Sequence, residues 1–136
     1  MARIHDVVFD CRHPASLARF WAAALDDYAV APYDEAELAR LRGAGIDDPE
    51  DDPTVLVEAP GTGRPRLFFQ LVPEPRTVKN RVHLDLRPYP GDDQTAEVAR
   101  LRALGATDID VGQGDDVPWT CLADPEGNEF DVLTPR

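Results

Sequence analysis

The sequence predicts an α+β fold in which a βαβββ module occurs twice. Along the 136 residues, one strand, one helix and three further strands follow one another, and then the same order returns. The two copies also resemble each other locally, since Phe9-Asp-Cys-Arg12 precedes the first helix and Leu84-Asp-Leu-Arg87 precedes the second. We therefore expect two four-stranded sheets, each covered by a helix on one face. Side by side, they would curve into an open β-barrel with the helices outside and a cleft within.

A strand and a well-marked helix open the first module, which we place at about residues 1–75. Residues 4–11 alternate in polarity as a strand does, and Asp6 and Asp10 share one face. Pro14 suits the first position of a helix. The helix that follows carries apolar residues at helical spacing, namely Leu17, Phe20, Trp21, Ala24 and Leu25. We expect this stripe to pack on the sheet.

Three more strands and an insertion complete the first module. The strands are expected at residues 28–32, 54–58 and 66–72. The insertion, residues 34–53, holds a short peripheral helix capped by Asp34 and an acidic loop from Asp47 to Pro53. Because the loop lacks the residue order of a calcium-binding loop, we expect it to lie in solvent.

The second module, at about residues 80–136, repeats the pattern. A strand over residues 81–87 places three polar side chains on one side, namely His83, Asp85 and Arg87. A helix is expected from about Asp93 to Leu104, with Gly105 just beyond its end. Its inward side consists of Ala96, Val98, Leu101 and Leu104. A strand over residues 107–111 and a closing hairpin follow, so the whole chain, residues 1–136, forms one domain of two modules.

The closing hairpin turns at Asp124-Pro-Glu-Gly-Asn128. Proline presets φ at the second position of a turn, and glycine accepts the positive φ that follows. Beyond the turn, Phe130 faces the core while Glu129 and Asp131 share the opposite face. We expect Asp131 to face the cleft together with His83.

Charge and hydropathy exclude several classes of partner. The formal net charge is −12, whereas nucleic acids and anionic membrane surfaces attract clustered positive charge. No apolar run approaches the roughly 20 residues that cross a membrane, and the N-terminus lacks the pattern of a signal peptide. We therefore expect a cytoplasmic protein that binds neither nucleic acid nor membrane.

The cysteines and the basic residues each predict a local role. Cys11 and Cys121 lie in apolar strand patterns without a CxxC spacing, so we expect buried free thiols. The only basic stretch contains Arg76, Lys79 and Arg81, at the joint between the two halves. We expect it to form ion pairs between the halves, or else to hold an anionic ligand.

Four short segments carry a family resemblance. They are Ala18-Arg-Phe-Trp21, Asn80-Arg-Val-His-Leu-Asp85, Leu104-Gly-Ala106 and Asp124-Pro-Glu-Gly-Asn128. Through them the chain resembles the glyoxalase-like branch of the vicinal oxygen chelate superfamily, over nearly its whole length except the insertion at residues 34–53. The resemblance implies the glyoxalase/bleomycin resistance/dihydroxybiphenyl dioxygenase fold. Many members of the superfamily bind a divalent metal ion that chelates substrate oxygens, and the resemblance implies such an ion. The members of the superfamily include glyoxalase I, extradiol dioxygenases, fosfomycin-modifying enzymes and metal-free bleomycin-binding proteins.

The resemblance also implies where metal ligands would stand, at the first and last strand of each module. In the second module they fall on His83 and Asp131. In the first module the last-strand ligand falls on Gln70, and the first-strand ligand falls on Asp6, or on His5 if the alignment slips by one residue. Strand alternation favours Asp6, because a one-residue slip turns every side chain to the other face. One imidazole, two carboxylates and an amide can hold a divalent ion, whereas the two-histidine, one-carboxylate triad of iron oxygenases is absent. The alternative for His83 and Asp131 is a hydrogen-bonded polar pair in the cleft without a metal ion.

Strand parity adds further candidates for residues that line the cleft and bind substrate. These are Asp10, Phe68, Asp85, Arg87 and Glu129. Trp119 shares a face with Cys121 and is a further candidate, since a tryptophan at a strand end can either line the pocket or cap the core. Several carboxylates in one cavity raise one another's pKa and can supply a general base.

Two functions of different classes follow, both with a small organic molecule in the cleft. The first is an enzyme, a lyase or isomerase acting on a carbonyl or enediolate-forming substrate. In it, His83 and Asp131 hold a divalent metal ion or act directly as catalytic acid and base. The second is a metal-free small-molecule binding or sequestering protein of the bleomycin-resistance type, whose acidic walls suit a cationic ligand. Relatives pair modules within a chain or between chains, so a homodimer is compatible with either function.

Overall fold

The computed structural model describes every residue from Met1 to Arg136 and forms two compact units, Met1–Pro75 and Arg76–Arg136. Each unit contains one four-stranded mixed sheet, and the two sheets have the same strand order. The structure thus confirms the predicted α+β fold with two βαβββ modules. None of its helices combines the length and apolar character that a membrane span requires.

The first unit contains four strands, two α-helices and a short 3-10 helix. In chain order they are β1 (Asp6–Cys11), α1 (Pro14–Ala24), β2 (Ala29–Val30), α2 (Glu35–Gly43), the 3-10 helix Pro49–Asp51, β3 (Thr54–Glu58) and β4 (Arg66–Leu71). The sheet order is β1-β4-β3-β2, with β1 parallel to β4 and the other pairs antiparallel. Because β1 and β2 run parallel at opposite edges of the sheet, the chain between them must cross over, and α1 supplies this connection and packs on the sheet.

Aromatic packing between α1 and the sheet forms the core of the first unit. Leu17, Trp21 and Phe69 are almost completely buried. The Phe9 ring stacks on Phe69 at a centroid distance of 5.0 Å and lies 5.3 Å from the Trp21 ring. Burying each such large side chain stabilises the fold by about 1.5–3 kcal/mol. The predicted apolar stripe of the first helix is therefore confirmed.

The insertion forms the predicted helix, but its acidic loop is not wholly solvated. The Asp34 carboxylate accepts a hydrogen bond of 2.9 Å from the Glu37 backbone N–H and caps α2 as expected. Asp52, however, is only 3% exposed. Its carboxylate accepts hydrogen bonds from the Tyr33 hydroxyl at 2.9 Å and from the Thr54 N–H at 3.0 Å. These two donors replace water around the carboxylate, so the expectation of a solvated loop was wrong at its last acidic residue.

The second unit repeats the order of one strand, one helix and three strands, without the helices of the insertion. Its elements are β5 (Leu84–Leu86), α3 (Gln94–Leu104), β6 (Thr107–Asp108), β7 (Thr120–Ala123) and β8 (Glu129–Val132). The sheet order is β5-β8-β7-β6, and β5 runs parallel to β8. The predicted strands at residues 81–87 and 107–111 are both too long, because only three and two of their residues pair with a neighbouring strand.

Helix α3 packs along a narrower strip than its sequence pattern predicts. Val98 and Leu101 are buried, whereas Ala96 is exposed and Leu104 is 38% exposed. The inward orientation expected for those two residues was wrong, because the helix contacts its unit along one row of side chains. Its predicted end is confirmed, since Gly105 adopts φ of 122° at the C-cap.

The closing hairpin is fixed by one buried carboxylate. Asp124 is 2% exposed and accepts hydrogen bonds from the backbone N–H groups of Glu126 and Asn128, at 2.9 and 3.0 Å. The side-chain amide of Asn128 donates a third bond of 2.8 Å. Gly127 takes the expected positive φ of 88°. Phe130 is fully buried, as predicted, which sets the orientation of the residues beside it.

Candidate functional site

Three neighbouring strands of the second unit bring polar side chains to one face of the sheet. The register pairs Asp85 of β5 with Asp131 of β8, and Asp131 with Cys121 of β7. Residues that face each other in register project from the same side of a sheet. His83 precedes Asp85 by two residues, and so it lies on this side as well.

The side chains of His83, Asp85 and Asp131 form a compact group, here named the acidic-histidine cluster. His83 Nε2 lies 3.2 Å from Asp85 Oδ1 and 3.5 Å from Asp131 Oδ2. One potential ligand atom from each residue lies within 4.8 Å of the other two. The Asp131 side chain is 17% exposed, while those of His83 and Asp85 are 42% and 50% exposed. The cluster is therefore open to solvent on one side and supported by the sheet on the other.

Cys121 holds Asp131 from the third strand. Its Sγ donates a hydrogen bond of 2.8 Å to Asp131 Oδ1, which leaves Oδ2 near His83. Burial, and then the contact with Asp131, raise the pKa of the Cys121 thiol to about 11, while a hydrogen bond with Trp119 acts in the opposite direction. The group is consequently a neutral thiol at physiological pH, which positions the carboxylate and is not a nucleophile. Both Cys11 and Cys121 are free and buried, as the sequence predicts.

Glu129 shares the face of Asp131, but its carboxylate is engaged in the fold. Its side chain is 6% exposed and forms an ion pair with the Arg76 guanidinium. The Asn80 backbone N–H donates a bond of 3.1 Å to Glu129 Oε2, and the Asn80 amide donates one of 2.7 Å to Asn128. Glu129 thus fastens the segment that precedes β5. Arg76, expected to form ion pairs between the halves, finds its partner within the second unit.

Two other predicted residues of the second unit, Arg87 and Trp119, have their hydrogen-bond partners outside the acidic-histidine cluster. The Arg87 guanidinium donates to the Thr134 carbonyl at 3.4 Å. Trp119 is partly buried next to Cys121.

In the first unit, the predicted ligand Asp6 has a strong cationic partner. Arg66 donates two hydrogen bonds to its carboxylate, with Nε 2.8 Å from Oδ1 and Nη2 3.2 Å from Oδ2. His5 Nδ1 lies 2.8 Å from Oδ1. The hydrogen bond from Arg66 is the main reason why the pKa of Asp6 falls below its usual value. The register places Gln70 opposite Asp10, and both are exposed.

A cavity of about 700 Å³ lies in the first unit between the insertion and the sheet. Its floor contains Leu56 and Phe68, which pair across β3 and β4. Phe68 was predicted as a lining residue. The polar residues of the wall, among them Tyr33, Arg40 and Asp52, were not.

The role of Cys121 was also missed, although a signal for it existed. Cys121 precedes the turn by three residues and Asp131 follows the turn by three, so a symmetric hairpin places them opposite each other.

Comparisons with known proteins place these features in a family. The model of the family described as glyoxalase-like domain matches residues 6–133. No curated protein matches the chain.

Among solved structures, a glyoxalase/bleomycin resistance protein/dioxygenase family enzyme from Burkholderia phytofirmans PsJN is similar. It has 18% sequence identity and a TM-score of 0.61, with 98% of each chain covered. The fosfomycin resistance protein FosX from Mesorhizobium loti has 11% identity and a TM-score of 0.62, over 98% of this chain and 91% of that one.

A mutant of FosX from Listeria monocytogenes is similar at 8% identity with a TM-score of 0.64. The match covers 98% of this chain and 92% of that chain, which is complexed with Mn(II) and 1S,2S-dihydroxypropylphosphonic acid. At these identities the likeness concerns the fold.

Proposed function

The chain belongs to the glyoxalase-like domain family of the vicinal oxygen chelate superfamily, and we propose that it is a divalent-metal-dependent lyase or isomerase. Its substrate would be a small organic molecule with neighbouring oxygen atoms, of the carbonyl or enediolate-forming class. The observation that carries the proposal is the acidic-histidine cluster, in which an imidazole and two carboxylates converge within 4.8 Å.

The chemistry of the donor set fits a divalent ion. Imidazole nitrogen and carboxylate oxygen suit Mn²⁺, Fe²⁺ and Zn²⁺, and three protein donors leave coordination positions for substrate oxygens. The proposed set contains His83 and Asp131, as the resemblance implies, and adds Asp85 of the neighbouring strand. Asp6 is left out because Arg66 occupies both of its carboxylate oxygens. Gln70 stays a prediction.

The metal ion, Cys121 and His83 each have a separate part in this proposal. A bound metal ion would act as a Lewis acid that polarises the substrate oxygens. Cys121 fixes Asp131 through the thiol hydrogen bond, so that one carboxylate oxygen keeps its direction. The His83 imidazole lies between two carboxylates and can accept or donate a proton at Nε2 when it is not bound to metal.

Metal titration of the chelator-treated protein tests the proposal. We expect Mn²⁺ to raise the melting temperature, because an ion that binds only the native state adds RT ln(1 + [L]/Kd), or about 2.7 kcal/mol at a hundredfold excess over Kd. The first ion to try is Mn²⁺, since a FosX relative of the same fold carries it.

Two histidine variants make the titration specific. The change His83→Gln should abolish the stabilisation, whereas the exposed His13, in the first unit, serves as a matched control and His13→Gln should keep it. If Mn²⁺, Fe²⁺ and Zn²⁺ all leave the melting temperature of the wild-type protein unchanged, the metalloenzyme is excluded. The metal-free binding protein then becomes the better assignment.

A further inference from the structure

The cavity of the first unit is built by the insertion, which has no counterpart in the second unit. The strands β3 and β4 supply an apolar floor with Leu56 and Phe68. The segment before α2, the helix itself and Asp52 form the walls. Its volume of about 700 Å³ lies within the range of about 300–1,000 Å³ that is usual for small-molecule sites.

The walls of this cavity have an excess of negative charge. The charged residues that line the cavity are Asp34, Glu37, Asp52 and Arg40. Arg40 pairs with Glu37, with Nη2 2.6 Å from Oε1, so these two charges offset each other. Neither Asp34 nor Asp52 forms a salt bridge within 4.0 Å, and the single cation of the wall, Arg40, acts on Asp52 only at longer range. The cavity therefore favours a positively charged occupant.

The deepest of these carboxylates is held in a fixed orientation. Asp52 is 3% exposed and accepts the Tyr33 hydroxyl at 2.9 Å. Burial, followed by this hydrogen bond, raises the pKa of Tyr33 far above its usual value, so the hydroxyl stays protonated and donates to Asp52. The phenol oxygen keeps lone pairs that can accept an N–H group from a ligand. A buried, pre-oriented pair of this kind loses little conformational entropy when a ligand binds.

We infer that this cavity binds a small organic cation with an apolar or aromatic body and N–H donors, such as an amidinium or a primary arylalkylamine. The cationic head interacts with Asp34 and Asp52 and donates to the phenol oxygen of Tyr33. The body packs on Leu56 and Phe68. The inserted segment is then the specificity element of the first unit, and the inference does not depend on a metal ion in the acidic-histidine cluster.

Three probes of nearly equal shape but different charge test this inference by calorimetry and NMR. Benzamidinium should bind about tenfold more tightly than neutral benzamide, or by about 1.4 kcal/mol, because hydrogen bonds that involve a charged group are stronger than neutral ones. Benzoate should not bind. The benzamidinium complex should shift backbone amide signals of residues 33–40, 52–56 and 68 and should weaken with added salt, as screening predicts.

Conservative variants identify the residues responsible. Asp34→Asn keeps an N-cap for α2 and Tyr33→Phe keeps the ring, and each should weaken benzamidinium binding at least threefold, by about 0.7 kcal/mol. Asp47→Asn, an exposed acid of the same insertion outside the cavity, is the matched control and should change nothing.

The inference is overturned if benzamidinium and benzamide bind with equal affinity. It is also overturned if Asp34→Asn and Asp47→Asn lose equal amounts of benzamidinium affinity. Amide shifts confined to the second unit overturn it as well. None of these results bears on metal binding by the second unit, so this inference and the proposed function can fail separately.

Discussion

Replacing Arg76 by methionine tests how much the ion pair between Arg76 and Glu129 contributes to the free energy of unfolding. The Glu129 side chain is 6% exposed, whereas that of Arg76 is 30% exposed. Methionine keeps most of the aliphatic length and removes the charge. The buried carboxylate of Glu129 then retains the hydrogen bond from the Asn80 N–H but loses its cation.

The size of the effect follows from this burial. Removing one partner of a buried ion pair costs about 3–5 kcal/mol, because the charge left behind is not compensated. Since Arg76 is partly solvated, we expect a smaller loss, about 2–3 kcal/mol in the free energy of unfolding. The total free energy of unfolding of a protein domain is about 5–15 kcal/mol, so this loss is a large part of it. With a urea m-value of about 1.5 kcal/mol/M, the urea concentration at the unfolding midpoint should fall by about 1.3–2 M.

Urea unfolding followed by circular dichroism and tryptophan fluorescence is the assay, with an exposed ion pair as control. Arg19 lies 2.7 Å from Glu50, and these side chains are 55% and 54% exposed. Arg19→Met should therefore cost less than about 1 kcal/mol. Equal losses in Arg76→Met and Arg19→Met, or a loss below about 1 kcal/mol in Arg76→Met, would refute the reasoning.

Three further predictions concern buried or paired acids. The Cys121 thiol should titrate with a pKa of about 11, and Asp131→Asn should lower that pKa in carbon-13 NMR of labelled cysteine. Because the pKa of Cys121 is raised in the folded state, the protonated thiol stabilises the folded protein. This stabilisation is fully present below the unfolded pKa of 9.0 and is lost as pH rises towards 11. An unchanged pKa in the variant would contradict this contact. Arg66→Gln should raise the pKa of Asp6 towards 3.8 in an NMR titration. Because the pKa of Asp6 is lowered in the folded state, the pair of Asp6 and Arg66 stabilises the protein above pH 3.8, and this stabilisation is lost as pH falls through the folded pKa. If Asp6 has the same pKa in the wild-type protein and in Arg66→Gln, Arg66 is excluded as the cause of the shift. Asp124→Ala should cost about 3 kcal/mol in urea unfolding, since three hydrogen bonds lose their acceptor, and a loss under about 1 kcal/mol would show that water replaces it.

The fold was predictable where local signals and packing agree. The stripe of α1 contains Leu17 and Trp21 at helical spacing, and both are buried in the structure. The turn at Asp124–Asn128 carries its own chemistry in proline, glycine and a capping carboxylate, so the hairpin could be placed from sequence alone. Because strand parity is fixed by the buried Phe130, the face of Asp131 followed from it.

The partners of individual polar groups could not be predicted in the same way. Parity assigns Glu129 and Asp131 to one face, but it does not say that Arg76 pairs with the first of them. Likewise, the sequence places Asp52 in an acidic loop that is expected to be solvated, and it does not indicate that the Tyr33 hydroxyl donates to it. Such contacts depend on how connecting segments return to the sheet, and residue spacing carries no information about that path.

The measurement that tests the central claim most directly is an NMR titration of the nitrogen-15-labelled protein with substoichiometric Mn²⁺, whose paramagnetism broadens signals near its site. If the acidic-histidine cluster holds the ion, amide signals of residues 83–86 and 130–132 should broaden first. Signals of the acidic segment at residues 47–52 should persist, although it carries more carboxylates. Broadening of residues 47–52 first, with residues 83–86 and 130–132 unaffected, would contradict the account.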